Sequence, residues 1–543
     1  MRRQQGGRTR PCAALHGAVL IGLVAVLSAG RCRAATLQPA SPTVRVSQGA
    51  LAGFRQGSVN TFLGVPYAAP PIGRNRWRAP QPALHWPGVR PATRFAASCW
   101  QSMTPGGVGP WTHEYMPQGR ASEDCLYLNV WTPADPAERR LPVLVWIPGG
   151  GFVAGSGSAA VYDGSRFAEH DIVVVTINYR VGLLGFFVTP ALAAEAAREH
   201  APAGNYGLQD MIAALRWVHQ NIAAFGGDPS AITVGGQSAG AMAVHDLIVS
   251  PLAAGLFARA IAESGLPDTT PAPSLAEAEK AGDGFARAKG APTLAALRAL
   301  TPQELSTTEP AMQGPLLVPI VDGMLLPARP DTLLAKGKLA DVPVLAGIDA
   351  DEATAFSGPI LTSMSRGAWN TLLEEKFGAL APRFAPLYPA GTGAERARSA
   401  RQLRRDLGLA AFRHWSRAWL PHARSPAYGY LFDHLEPGPE SGRWGIFHSS
   451  ELPYVFGTLA AAPERRFTAS DRALARTLSR YWANFIRTGN PNGPGLPPWP
   501  RMEEPHPRIM RLGDRPAPRP ILPARKLQAM KSFLARGGKP GIF

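Results

Sequence analysis

From residue 140 onward the sequence alternates apolar strand-length runs, glycine-rich turns and amphipathic helices, and this alternation restricts the available folds more than any other feature. Leu141–Pro148 (LPVLVWIP) and Ile172–Tyr179 (IVVVTINY) are largely apolar and rich in β-branched residues. Such runs suit strands that are covered on both faces of a parallel sheet. Asp210–Phe225 (DMIAALRWVHQNIAAF) has apolar residues at helical spacing and stops at Gly226-Gly227. Ile232–Gly235 reads as a short strand and Ala239–Ser250 as a helix, with further strands at Val342–Gly347 and Tyr428–Phe432. Strands separated by helices predict an α/β fold with a large, mostly parallel central sheet flanked by helices. No internal repeat or long low-complexity linker divides the 543 residues, so a single domain is expected in spite of the length.

A net charge of +17 suggests nucleic-acid binding until it is located. Residues 1–35 hold six arginines and no acid, and residues 501–543 hold ten Lys/Arg against three Asp/Glu, which leaves a near-neutral body between them. Only eight of the 56 basic residues are lysine, a bias that reflects genome composition better than phosphate recognition. No nucleic-acid partner is expected. The segment from about residue 501 reads as a basic, proline-rich C-terminal tail.

The N-terminus has the form of an export leader. Arg2, Arg3, Arg8 and Arg10 precede an apolar stretch from Ala13 to Ala29, and Ala34-Ala35 offers a cleavage site. No other segment approaches 18 uninterrupted apolar residues, so no stable membrane insertion is expected once residues 1–34 are removed. The mature chain, residues 35–543, would then be secreted or periplasmic. Cleavage removes Cys12 and Cys32 and leaves Cys99 and Cys125, 26 positions apart. In an oxidising compartment the two are expected to be bridged, closing a loop worth roughly 3 kcal/mol.

Gly236-Gln237-Ser238-Ala239-Gly240 matches G-x-S-x-G, a modest signal alone in a chain rich in glycine. Its setting is more specific, because it lies between the strand ITVG and the helix AMAVHDL. A sharp strand-to-helix turn projects the Ser238 hydroxyl above the sheet and leaves the Ala239 N–H at the new helix N-terminus, facing any developing oxyanion. A serine hydroxyl is a weak nucleophile at neutral pH and requires a base and an orienting acid. Gly149-Gly150-Gly151 supplies a backbone able to approach a substrate closely, and no Gly-Lys-Ser/Thr follows to make it a phosphate loop. Asp349, Asp351 and Glu352 are candidates for the acid. His414, His422, His434, His448 and His506 all follow in chain order as candidates for the base.

The blocks FLGVPYAAPPIGRNRW (Phe62–Trp77), SEDCLYLNVW (Ser122–Trp131), WIPGGGF (Trp146–Phe152), NYRVGLLGFF (Asn178–Phe187), FGGDPSAITVGGQSAGA (Phe225–Ala241) and HSSELPYVFG (His448–Gly457) together resemble the type-B carboxylesterases, the carboxylesterase/cholinesterase family of α/β-hydrolases. The resemblance runs from about Val44 to Trp499. It implies a serine carboxylesterase with Ser238 as nucleophile, Glu352 as acid, His448 as base and the N–H groups of Gly150, Gly151 and Ala239 as the oxyanion hole. It also implies a Cys99–Cys125 disulfide near the site entrance, a small-molecule ester as substrate, and no cofactor or metal.

Here Ala353 stands where the family usually has the glycine of D-E-G, and Pro148 where many relatives carry histidine or tyrosine. Gln237 replaces a common glutamate, which removes an attraction for cationic substrates. Trp100, Trp111 and Tyr115 are expected either to line the substrate pocket or to pack the loop, and Arg180, Asp124 and Asp228 to serve ion pairs or turns. Two alternatives to a general esterase stand beside it: a narrow-range hydrolase of polycarboxylate, mycotoxin-type esters, and a non-catalytic binding protein of the same fold.

Overall fold

The computed structural model describes residues 41–134, 140–267, 272–305 and 317–541. The expected leader lies outside this range. Ser41 onward forms one compact unit around an eleven-stranded sheet. In chain order its strands are β1 (Phe54–Gln56), β2 (Val59–Pro66), β3 (Tyr127–Pro133), β4 (Leu141–Ile147), β5 (Val173–Ile177), β6 (Gly227–Gln237), β7 (Arg259–Glu263), β8 (Val344–Asp349), β9 (Ala427–Phe432), β10 (Arg508–Leu512) and β11 (Ala517–Pro520). Their spatial order is β11-β10-β9-β8-β7-β6-β4-β5-β3-β2-β1. The block from β5 to β10 is parallel, and antiparallel strands finish both edges. This is the mostly parallel sheet expected from the sequence.

The apolar runs form strands because they are covered on both sides. All five residues of β5 are buried, as is β4 from Val143 to Ile147. Each such side chain contributes about 1.5–3 kcal/mol on burial. The covering helices include α1 (Tyr206–Asn221), α2 (Ala239–Val249), α3 (Gly393–Trp419), α4 (Ala469–Thr488) and α5 (Ala524–Leu534). α3 and α4 both begin with a complete capping box, from Thr392 with Glu395 and from Thr468 with Asp471. Among the described residues no helix is long and apolar enough to cross a membrane.

The segment from residue 501 is not a tail. Arg508–Leu512 pairs in parallel with β9, Ala517–Pro520 returns antiparallel beside it, and α5 packs on α3. Ile509, Met510, Leu512, Met530 and Phe533 supply the buried face. Proline masked this reading, yet Pro518 and Pro520 sit on the outermost strand, where a missing N–H costs no ladder bond.

α2 carries a buried histidine, His245, whose ring lies 5.6 Å from that of Trp415. Burial pushes its pKa down to about 3. A group depressed in the folded state stabilises it above its unfolded pKa and loses that contribution as pH falls through the folded value. His245→Leu is therefore expected to lose less stability than wild type between pH 6.5 and 3, by a margin on the order of 4 kcal/mol at the acid end. Parallel melting curves across that range would reveal a variant that falls as steeply as wild type and so contradict the assignment.

Candidate active site

Chain order reverses between β4 and β6, which are neighbours with β5 beyond β4. Open α/β sheets bind ligands outside the carboxyl ends of the strands at such a switch point. In register, Ile147 lies opposite Gly236, Gln237 opposite Glu263, and Glu263 opposite Gly347. The residues that follow β4, β6, β7 and β8 therefore emerge side by side.

Ser238 occupies the turn between β6 and α2 with φ 57° and ψ −126°. This conformation costs a non-glycine residue about 1–3 kcal/mol. It is held by two hydrogen bonds: Ser238 N–H donates to the Glu263 carbonyl at 2.8 Å, and Met242 N–H donates to the Ser238 carbonyl at 2.9 Å. The turn also requires glycine beside it, since a Cβ on Gly240 would stand 2.1 Å from the Ile147 carbonyl oxygen. The spacing in G-x-S-x-G thus lets two strands and a helix approach within backbone contact.

Glu352 follows β8, and His448 lies on the loop after Ser441–Trp444. The His448 Nδ1 and Glu352 Oε2 are 2.5 Å apart, with both side chains buried. The other ring nitrogen, Nε2, faces the Gln237 carboxamide nitrogen at 3.2 Å. A proton on Nδ1 satisfies Glu352, and Nε2 then takes the Gln237 N–H as an acceptor.

The other candidates have separate duties. Asp351 pairs with Arg401 and Arg405 and accepts the Ile446 N–H at 3.0 Å. His434 is clamped between Asp471, 2.8 Å from its Nε2, and Asp514, 2.6 Å from its Nδ1. The expected ion-pair and turn residues behave accordingly: Arg180 is bidentate to Asp210, Asp228 takes Arg140 at 2.9 Å, and Asp124 accepts the Tyr127 hydroxyl at 2.9 Å.

After β4 the chain turns through Gly149, Gly150 and Gly151, with φ 122° at Gly150 and 63° at Gly151. Both glycines are exposed, and among the described residues neither their N–H groups nor that of Ala239 enters a backbone pairing. The Tyr179 hydroxyl donates to the Pro148 carbonyl at 2.9 Å and Gly182 N–H to the Phe152 carbonyl at 2.7 Å, bracing the glycine turn from the β5 side.

Cys99 and Cys125 form a disulfide. The loop it closes reaches the histidine: Trp111 Nε1 donates to the His448 carbonyl at 3.1 Å, and the Tyr115 hydroxyl donates to the Ser449 carbonyl at 3.2 Å. Trp111 therefore stands at the site, whereas Trp100 packs against the apolar cluster around Trp77 and Phe187. Phe356 escaped the sequence reading. It is 53% exposed, and its ring lies 5.2 Å from that of His448 and 5.5 Å from that of Trp111. Its signal was its position four residues beyond Glu352, at the spacing of one helical turn.

The described residues contain one grouping with metal-ligand chemistry, His113, Glu114 and Glu464. Arg465 already occupies Glu114, at 2.8 Å, so the grouping is an ion-pair network.

A switch-point serine elbow beside a buried acid–histidine pair is the arrangement of the α/β-hydrolase fold, and comparison with known proteins makes the chain a carboxylic ester hydrolase. Residues 40–531 match the carboxylesterase family, to which the protein belongs. It is 36% identical over 550 residues to the fumonisin B1 esterase of Sphingopyxis macrogoltabida, covering 94% of this chain and 95% of that one. It is 34% identical over 504 residues to the cocaine esterase of Homo sapiens, covering 88% and 87%. Among solved structures, a PNB esterase superposes with a TM-score of 0.71 at 32% identity, covering 90% of this chain and 100% of that chain. A thermophilic PNB esterase gives 0.73 at 31%, with the same shares covered.

Proposed function

We propose that the protein cleaves carboxylic esters in two steps through an acyl-enzyme on Ser238. His448 Nε2 takes the serine proton as Oγ attacks the ester carbonyl, and Glu352 holds the Nδ1 proton and stabilises the imidazolium. The N–H groups of Gly150, Gly151 and Ala239 receive the oxyanion, and the alcohol leaves with the proton from His448. A water activated by the same nitrogen then releases the acid. The Glu352–His448 pair at 2.5 Å, beside a serine held at positive φ, carries this reading.

Trp111 and Phe356 support an ester with an apolar group lying against the imidazole. The uncharged Gln237 supports neutral or anionic esters over cationic ones. The disulfide supports the secreted or periplasmic placement, with residues 1–34 as the leader.

Intact mass after treatment with a fluorophosphonate tests the proposal. A single adduct on wild type and none on Ser238→Ala is the expected result. A folded wild type that takes no adduct would instead favour a binding protein. An ester panel graded by acyl length and carboxylate number then separates a general esterase from one confined to polycarboxylate esters.

The glycine turn gives a second test. A Cβ on Gly150 would lie 2.3 Å from the Ala154 carbonyl oxygen, and the backbone there has φ 122°. Gly150→Ala must shift the turn, and misplacing one oxyanion donor costs about 3 kcal/mol. A fall in kcat of about a hundredfold or more with little change in KM is expected from steady-state kinetics. An unchanged kcat would remove Gly150 from the oxyanion hole.

A further inference from the structure

Beside the Glu352–His448 pair lie three more fully buried carboxyl groups, Glu263 at the end of β7, Asp349 at the end of β8, and Glu451 three residues after the histidine. Asp349 touches Glu352 and the residue that follows His448. Its N–H donates to Glu352 Oε1 at 2.8 Å, and its Oδ2 accepts the Ser449 N–H at 2.9 Å, at a residue held at φ 84°. Among the described residues Asp349 Oδ1 and both oxygens of Glu451 are buried with no donor, and the interaction between the two carboxyl groups is among the causes that shift each of them. Two ionised carboxylates cannot bond to each other, and in a dry site their repulsion favours keeping one proton.

We propose that Asp349 and Glu451 share a proton at neutral pH, and that this shared proton positions His448 by holding Asp349 against the Ser449 N–H and the Glu352 loop. The inference rests on His448 being the base. The charged and titratable groups facing the pair are Glu352 and His448, Glu263 from β7, Tyr430 from β9, and Tyr162 from the 3-10 turn Ala160–Tyr162. Glu263 takes the Trp482 Nε1–H on one oxygen at 2.6 Å. Burial, with repulsion from Glu451, pushes its carboxyl well up as well. Burial raises Asp349 well above the carboxylate range and Glu451 to about 7. At alkaline pH hydroxide takes the shared proton, and two like charges are left in contact. Asp349 and Glu451 then separate, and Ser449 loses its anchor one residue from the base.

The test is the pH profile of kcat/KM on a neutral aryl ester for wild type, Asp349→Asn and Glu451→Gln, with fluorophosphonate labelling of each. Wild type is expected to rise as His448 deprotonates and then to fall by about tenfold per pH unit on the alkaline side. In either variant a permanent amide donor replaces the shared proton, so the alkaline fall should disappear or move by more than about one pH unit. Variants that fold, label and keep the wild-type fall overturn the proposal. A wild type that does not label overturns the triad reading instead. If neither variant folds, the infrared spectrum of wild type decides: an acid C=O stretch must be lost with the same midpoint as the activity, and a different midpoint overturns the pair.

Discussion

Ser238→Ala and His448→Ala are each expected to lower kcat by about ten-thousand-fold or more, and the double variant to lower it little further. The non-additivity follows from the proposed mechanism. The hydroxyl has no nucleophilic strength without Nε2 to take its proton, and the imidazole has no proton to take without the hydroxyl. The glycine turn and the aromatic wall survive in all three variants, so a residual rate from oxyanion binding should remain and KM should move little. Glu352→Gln is expected to cost less than either. It keeps a hydrogen-bonding partner for Nδ1 but loses the charge that stabilises the imidazolium. Single-turnover and steady-state kinetics on the four proteins check this order. Costs that add across Ser238 and His448 would show that the two residues do not act as one unit.

How much of this site could be read from the chain depends on the range of the signal. The β6–α2 elbow was legible because its requirements are local: a buried strand, glycines on both sides of Ser238, and a helix immediately after. The acid and base were not legible in that way. Asp349, Asp351 and Glu352 fall within four positions, and only the fold shows that Asp351 is spent on Arg401 and Arg405 while Glu352 turns to the histidine. His434 lies two residues beyond the end of β9 and made a plausible base by position, yet two aspartates hold it. Family resemblance singled out Glu352 and His448 because it carries long-range information that composition and periodicity lack, and these two are the pair that the fold brings together.

The same limit explains the C-terminal strands. β10 and β11 sit among prolines and arginines, and their hydrophobic face becomes visible only when β9 is present to pair with them. The buried trio of Glu263, Asp349 and Glu451 lay in three separate sequence blocks, and only Asp349 stood out there, as one of three candidate acids.

Asp210→Ala is the substitution expected to damage stability most among the charged residues. Arg180 and Asp210 are buried, with side-chain exposures of 3% and 0%. They make two hydrogen bonds of 2.7 Å, and Asp210 Oδ2 also accepts the Arg180 backbone N–H at 3.0 Å. Removing the carboxylate strands a guanidinium in the core, at a cost of about 3–5 kcal/mol. Arg180 lies between Tyr179 and Gly182, which brace Pro148 and Phe152 on either side of the glycine turn. Stability and catalysis should therefore be separable. Replacing both partners with apolar residues, as in Arg180→Met with Asp210→Leu, should recover much of the lost stability, because no charge is left unpaired. The backbone of residue 180 would still lack the Asp210 acceptor, so kcat should stay depressed. Chemical denaturation and kinetics on the single and double variants distinguish the two roles: recovery of both stability and kcat would mean that the ion pair serves only the core, with no part in holding the glycine turn.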